Sequence, residues 1–332
     1  MSKELLEQCL NQPSHELKPL FNEAFRISRS HFSNLIHFYV PGMVHFDTPF
    51  YKSTGSYGFP GISVTGRSCQ LNCEHCRGKL LESMIPATMP DQLYEVCVEI
   101  KRRGSKGCLI SGGSLNSGSV PLTDFAPTIK RIKQKLGLKV VVHTGLIHPP
   151  LAEALADADI DAAMIDVIGS NDTIKEVYHL NCDTDSFDYS LLLLEQRNIP
   201  TVPHIVVGIH YGKLKGEPQA LAMILRHHPA AVVVVTLMPL AYTPMERVTP
   251  PSPLDIARVV LASRLLMPTV PLLLGCARPR GMHKVKTDIL AIKAGVNGIA
   301  YPSEEVCNFT QKLGLNFKFH QECCSLIWQN FS

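Results

Sequence analysis

The chain has 332 residues, of which 45% are hydrophobic, and its formal net charge is only +3. This is enough apolar material for a large core, and the weak, evenly spread charge argues against a nucleic-acid partner. The longest apolar run, residues 230–235, is far too short to cross a bilayer, so we expect no membrane segment. Residues 1–10 lack the apolar core of a signal peptide, so we expect a cytoplasmic protein whose eleven cysteines are reduced.

Residues 1–57 predict an N-terminal helical arm that becomes irregular, with a helix over about 14–29. From residue 58 onward, apolar strands alternate with helices. The predicted strands are 61–66, 107–112, 139–143, 162–167, 202–207, 231–237, 271–275 and 298–301. Continuous apolar runs such as 231–235 indicate strands that are buried on both faces.

Eight strand–helix units predict an α/β fold, a complete (β/α)8 barrel of the TIM type over residues 58–314. The N-terminal arm precedes it and a C-terminal tail, residues 315–332, follows it. A doubly wound open sheet is the alternative, but it rarely needs eight repeats of such regularity. In barrels of this kind, the functional residues lie on the loops that follow the strands.

The loop after the first predicted strand carries Cys69, Cys73 and Cys76 at the spacing C-x3-C-x2-C. Thiolates are soft ligands that suit zinc or an iron–sulfur cluster. A structural zinc site needs four protein ligands, and a ferredoxin motif has a nearby fourth cysteine followed by proline. Neither is present here. The spacing therefore favours three irons of a [4Fe–4S] cluster held by cysteine, with the fourth iron open to a ligand.

Other strand ends also present candidate residues to the mouth of the barrel. Glycine allows a ligand to approach the backbone closely. Asp166 is placed either to meet a polar group of a ligand or to cap a helix. The candidates at the ends of the second, fourth and fifth strands are Ser111, Gly112, Gly113, Asp166, Val207, Gly208 and Ile209.

Three further cysteines predict a second metal centre. Cys276 ends the seventh strand, and Cys323 and Cys324 lie in the tail, which we expect to fold back beside the seventh and eighth strands. We expect an auxiliary [4Fe–4S] cluster on these three residues. Its fourth ligand stays open between Cys307, Ser325 and an arginine group, and a pair of tail thiols without metal is the alternative.

The phrase at 66–79 closely resembles the signature of the radical S-adenosylmethionine (SAM) superfamily, and the resemblance covers residues 58–314. Within that superfamily, the chain is similar to the biotin synthase branch. The sequence segments 66–79, 275–279 and 322–326 resemble those of the octanoyl-acting component of the split, two-component lipoyl synthase.

The resemblance implies a site for SAM on the cluster of Cys69, Cys73 and Cys76. It implies that the turn at Gly112 and Gly113 holds the SAM amino group and that the fifth strand end, 207–209, holds adenine. His75 would replace the aromatic ring that usually packs on the adenine.

The resemblance also implies the reaction and its partners. A reduced flavodoxin or ferredoxin supplies one electron. The 5′-deoxyadenosyl radical from SAM then removes a hydrogen atom from an unactivated carbon, so the cofactor rather than a side chain performs the hydrogen removal. Sulfur from the auxiliary cluster then enters an octanoyl-lysine chain on a lipoyl carrier domain or its octanoylated peptide. A sister radical SAM component is implied as well.

Two other functions fit the same residues. One is a single-cluster radical SAM lyase or mutase for an amino-acid-like substrate, with Arg278 or Arg280 binding a carboxylate. The other is a non-catalytic iron–sulfur or zinc scaffold protein.

Overall fold

The fold is built on one curled, parallel sheet. The structure is a computed structural model that describes residues 2–42, 46–52 and 57–331. The strands are β1 (Leu35–Tyr39), β2 (Asp47–Thr48), β3 (Tyr51–Lys52), β4 (Gly61–Ser63), β5 (Ile85–Pro86), β6 (Gly107–Ser111), β7 (Lys139–His143), β8 (Ala162–Asp166), β9 (Thr201–Val207), β10 (Val232–Thr236), β11 (Leu272–Leu274), β12 (Gly298–Ala300) and β13 (Asn316–His320).

Helices cover the outer face of the sheet. They are α1 (Ser2–Asn11), α2 (Lys18–Phe32), α3 (Pro90–Arg102), α4 (Ala126–Leu136), α5 (Pro149–Asp157), α6 (Asn171–Glu176), α7 (Thr184–Gln196), α8 (Glu217–Ile224), α9 (Pro253–Leu266), α10 (Met282–Lys293) and α11 (Glu304–Lys312). Short 3-10 helices span Ser14–Glu16, Lys79–Ser83, Thr123–Phe125 and Cys324–Asn330. Across the described ranges, no helix combines the length and apolar character that a membrane crossing requires.

The α/β class and the parallel, curled sheet confirm the predicted architecture in part. All eight predicted strands are present, as β4 and β6–β12. The sheet nevertheless has eleven strands, in the order β13-β1-β12-β11-β10-β9-β8-β7-β6-β4-β5, rather than the eight of a complete (β/α)8 barrel. The extra strands come from the segments before and after the eight units and from the loop before α3.

The N-terminal arm contributes a strand to the sheet. We expect irregular chain after the first helices, whereas β1 pairs in parallel with β12 on one side and with β13 on the other. Ile36 and Phe38 are buried in the outer apolar core, and Tyr39 is buried in the inner one. A five-residue strand with a histidine at its centre carries too weak a pattern to be recognised locally, because its burial depends on distant partners.

The C-terminal tail packs into the concave face of the sheet. After β13, the 3-10 helix Cys324–Asn330 places Leu326 and Ile327 in an inner apolar core with Val141 of β7 and Met164 of β8. Both tail side chains are at most 1% exposed. A hydrogen bond of 2.7 Å from Ser325 Oγ to Met164 Sδ fixes this helix against β8. The last segment of the chain is therefore part of the core.

We predict that Ile327→Ala destabilises the protein by about 2–5 kcal/mol, because it removes a buried side chain and leaves a cavity inside the sheet. Denaturant unfolding followed by circular dichroism measures the loss. Lys312→Ala, at an exposed position of α11, is the control and should change the free energy of unfolding by less than about 0.5 kcal/mol. An equal effect of the two substitutions would contradict the buried position of the tail.

Candidate metal centres

The loop after β4 holds the first three cysteines in a compact turn. The backbone N–H groups of Cys76 and Arg77 both donate to the Cys73 carbonyl, at 3.2 and 2.9 Å. Asn72 has a positive φ of 48°, which reverses the chain between the first two cysteines. Cys73 and Cys76 are 5% and 9% exposed, and Cys69 is half-buried. The turn thus shields the thiols from bulk solvent.

The loop after β6 lies directly against this cysteine loop. Gln70 N donates to the Ser114 carbonyl at 2.9 Å, and Gly113 N donates to Thr65 Oγ1 at 2.7 Å. A Cβ atom at Gly113 would lie 2.0 Å from the Ser68 carbonyl oxygen, which no side chain tolerates. Glycine is therefore required at 113 by the close approach of the two loops, in addition to the cofactor role that the sequence predicts.

On its other side, the cysteine loop is anchored by residues after α6 that the sequence did not single out. Glu74 N donates to the Val177 carbonyl at 2.9 Å, and Cys73 Sγ lies 3.8 Å from the Tyr178 carbonyl oxygen. His179 bonds the Leu71 carbonyl oxygen through Nδ1 at 3.0 Å and lies 3.1 Å from Glu74 through Nε2. These residues stand in an irregular segment without periodicity, so no sequence signal marks them.

The three thiols suit a cluster better than a single ion. The pKa of Cys76 is lowered, first by the hydrogen bond from Cys73 and also by His75, while the pKa of Cys73 is raised by the same pairing. In the described part of the chain, no three His, Cys, Asp or Glu side chains are arranged to hold one metal ion. Thiolates that each bind a different iron of a cluster need not converge on one point. The donor set therefore fits an iron–sulfur cluster.

Two buried polar atoms beside these thiols lack a protein partner. Among the described residues, His75 Nδ1 and the Tyr178 hydroxyl are buried without a hydrogen bond. Their rings lie 5.2 Å apart at 52°. Burial, Asp166 and Cys73 raise the pKa of Tyr178, which places its hydroxyl near both the carboxylate and the thiols. Unpaired buried polar groups are costly, so this pair fits a site that a ligand completes.

Polar side chains of β7, β8 and β9 meet on the inner face of the sheet. His143 Nε2 lies 3.3 Å from Asp166 Oδ1, and the rings of His143 and His204 are 5.8 Å apart. Burial acts to lower the pKa of His143, but the Asp166 carboxylate outweighs it and raises the pKa; the pKa of Asp166 is lowered in return. Burial lowers the pKa of His204 to about 4. His143 and Asp166 therefore form a hydrogen-bonded pair.

The remaining predicted cofactor residues lie around the same opening but have structural partners. Ser111 Oγ donates to the His143 carbonyl at 2.9 Å, and Gly112 packs against Thr65. Gly208 N donates to Glu217 Oε1 at 2.8 Å, between the buried Val207 and Ile209.

The structure also brings Cys276, Cys323 and Cys324 together. Cys324 lies in the inner core, and Cys323 packs against that core. The pKa of Cys323 is lowered to about 7, chiefly by the hydrogen bond from Cys324, whose own pKa is raised. Desolvation by surrounding protein and the Cys323 thiolate raise the pKa of Cys276, which follows β11 and is exposed. The tail cysteines therefore lie near the residue that follows β11.

Arg278 lies near Cys276, but other groups engage its guanidinium. Arg278 Nε donates to Asp288 Oδ1 at 2.7 Å, and its other nitrogens donate to the carbonyls of Gly275 and Tyr301. Cys307 is buried on α11, where its charged neighbours are Asp288, Lys284 and Glu304.

We predict that Gly113→Ala displaces the cysteine loop, because the added methyl group collides with the Ser68 carbonyl. After anaerobic reconstitution, the iron content should fall by about four irons per chain. Ser114→Ala is the matched control, since Ser114 binds the loop through its backbone carbonyl. Full iron content in Gly113→Ala, measured on protein with an unchanged circular dichroism spectrum, would contradict this close contact.

Comparison with known proteins agrees with the fold and the cysteine loop. Residues 63–213 match the family model of the radical SAM superfamily. The biotin synthase of Buchnera aphidicola subsp. Acyrthosiphon pisum (strain APS) is 23% identical over 296 residues, covering 86% of this chain and 78% of the relative. The biotin synthase of Synechococcus sp. (strain CC9311) is 24% identical over 249 residues, covering 72% and 74%.

Two solved structures share the fold over the whole chain. Methylornithine synthase has a TM-score of 0.67 at 14% identity, covering 100% of this chain and 96% of that protein. The FeFe-hydrogenase maturase HydG from Carboxydothermus hydrogenoformans has a TM-score of 0.68 at 15% identity, covering 100% and 78%. At these identities, the similarity shows the architecture alone.

Proposed function

We propose that this protein is a radical SAM enzyme that inserts sulfur into an octanoyl-lysine chain in lipoyl cofactor biosynthesis, since residues 63–213 match the family model of the radical SAM superfamily. The superfamily implies a [4Fe–4S] cluster and bound SAM. The observation that carries the proposal is the second group of thiols, Cys276, Cys323 and Cys324, which the tail packing brings together at the end of β11. Sulfur insertion needs a sulfur source, and such a group can hold one.

When bound, the cluster and SAM supply a 5′-deoxyadenosyl radical, which is reactive enough to remove hydrogen from an unactivated carbon. The chain itself has to bind, orient and protect these groups. Cys69, Cys73 and Cys76 hold the cluster in a loop that is fixed from both sides. Exclusion of water and stray hydrogen donors by this buried loop limits side reactions.

The predicted cofactor residues surround the cysteine loop in a way that supports a SAM site. The backbone at Gly112 and Gly113 borders the loop from β6, and the end of β9 with Val207, Gly208 and Ile209 is our candidate for binding adenine. The unpaired Nδ1 of His75 and the unpaired hydroxyl of Tyr178 offer polar groups to the adenosyl portion.

The apolar inner face of the sheet favours an acyl chain as the substrate. Val235 lies in the inner core, and Val206, Ala277 and Cys323 pack against that core. Arg278, which a lyase or mutase would use for a substrate carboxylate, is 2% exposed and paired with Asp288. The single-cluster alternative thus loses one of its two candidate arginines, while Arg280 stays available to it.

The partners follow from the reaction. An octanoylated lipoyl carrier domain, or its peptide, supplies the substrate. A reduced flavodoxin or ferredoxin supplies the electron, and a sister radical SAM component completes the split enzyme. The auxiliary [4Fe–4S] cluster on Cys276, Cys323 and Cys324 supplies the sulfur.

Two sets of variants test the proposal. Cys69→Ala, Cys73→Ala and Cys76→Ala should each abolish the release of 5′-deoxyadenosine from SAM and dithionite, since no neighbouring thiol replaces the lost ligand. Cys323→Ala should still release 5′-deoxyadenosine but form no sulfur-containing product from an octanoyl-lysine peptide. Cys182→Ala, a half-buried cysteine outside both groups, is the control and should keep both activities.

The two readouts separate the alternatives. SAM cleavage that persists in all three motif variants would refute a radical SAM enzyme and leave a scaffold role. Sulfur insertion by Cys323→Ala at the rate of the unchanged protein would refute the auxiliary sulfur source while leaving the radical step intact.

A further inference from the structure

The second group of thiols lacks one ligand. Cys276, Cys323 and Cys324 can bind three of the four irons in a [4Fe–4S] cluster. Two of the fourth-ligand candidates from the sequence are engaged elsewhere, since Ser325 Oγ donates to Met164 Sδ at 2.7 Å and Arg278 pairs with Asp288. Cys307 lies on α11 beside Asp288 as well. The fourth iron is therefore open to another side chain.

His143 is the side chain that the fold brings to this place. It ends β7 and faces the inside of the sheet, because Val141, two residues earlier on the same face, lies in the inner core with Cys324. In the sheet register, His143 stands opposite Met164, which Ser325 contacts directly. Ser325 follows Cys323 and Cys324 in the chain, so the tail thiols are next to the His143 position.

The His143 imidazole is accessible to a ligand, since 31% of its side-chain surface is exposed.

Asp166 orients the imidazole as metal-binding histidines are usually oriented. Its carboxylate lies 3.3 Å from Nε2 of His143. A carboxylate on one ring nitrogen fixes the tautomer and leaves the other nitrogen, here Nδ1, for a metal. The neighbouring His204 differs, because its Nδ1 is bonded to the Val202 carbonyl at 3.0 Å and it has no carboxylate within bonding distance in the described structure.

We propose that His143, through Nδ1, is the fourth protein ligand of the auxiliary cluster on Cys276, Cys323 and Cys324, and that Asp166 positions it. The inference rests on the second cluster of the proposed function. Imidazole ligands on iron–sulfur clusters raise the reduction potential relative to thiolate ligands. The role of Asp166 is then to hold a metal ligand, rather than to meet a polar group of a ligand or to cap a helix.

The test uses the full chain with Cys69, Cys73 and Cys76 all changed to alanine, called the motif variant, so that only the auxiliary cluster can form. After anaerobic reconstitution it should hold about four irons per chain. Pulsed electron paramagnetic resonance of the reduced protein should show a nitrogen coupling of directly bound imidazole, which changes when histidine is labelled with 15N.

Substitutions in the motif variant identify the nitrogen. His143→Gln should remove the coupling, and His204→Gln, the matched control two strands away on β9, should keep it. His143→Cys should keep the iron, remove the coupling and shift the reduction potential to a more negative value. Asp166→Asn should keep the coupling and shift the potential to a more positive value, because the carboxylate no longer makes the imidazole a stronger donor.

The outcomes separate this inference from the proposed function. An iron-free motif variant overturns the auxiliary cluster and the histidine ligand together. Bound iron without a nitrogen coupling, or with a coupling that survives in His143→Gln, overturns the histidine ligand alone. A potential that Asp166→Asn leaves unchanged overturns the positioning role of Asp166.

Discussion

Burial of the C-terminal 3-10 helix in the concave face of the sheet is the constraint on which the proposed chemistry depends. Leu326 and Ile327 pack into the inner core. This packing positions the preceding Cys323 and Cys324 near Cys276, which follows β11. A tail that packed on the outside would separate these thiols by the thickness of the sheet. The apolar contacts that stabilise the fold thus also determine which thiols meet.

The cysteine loop depends on a second close contact, that between Gly113 and the Ser68 carbonyl. His143 and Asp166 form a hydrogen-bonded pair at the ends of two adjacent strands. His75, beside the first group of thiols, contributes to the lowered pKa of Asp166, and His143 contributes to the lowered pKa of Cys323 in the second group. This polar pair is therefore coupled electrostatically to both groups of residues.

The sequence predicts those parts of the structure that depend on neighbouring residues in the chain. The eight apolar strands and the cysteine spacing are continuous signals, so they are recognisable without the fold. β13 mixes Asn316, Lys318 and His320 with two phenylalanines and pairs with β1, nearly three hundred residues away. The pairing of His143 with Asp166 follows from the register between β7 and β8, and the ion pair of Arg278 with Asp288 follows from the docking of α10. Neither pairing of side chains can be predicted from a local sequence pattern.

An anaerobic crystal structure of the reconstituted chain, with anomalous diffraction collected at the iron edge, tests the central claim most directly. We expect two separate iron clusters in this structure. One is bound by Cys69, Cys73 and Cys76, and the other by Cys276, Cys323 and Cys324. A single iron peak at the first group, with the second group of thiols free of metal, would contradict it.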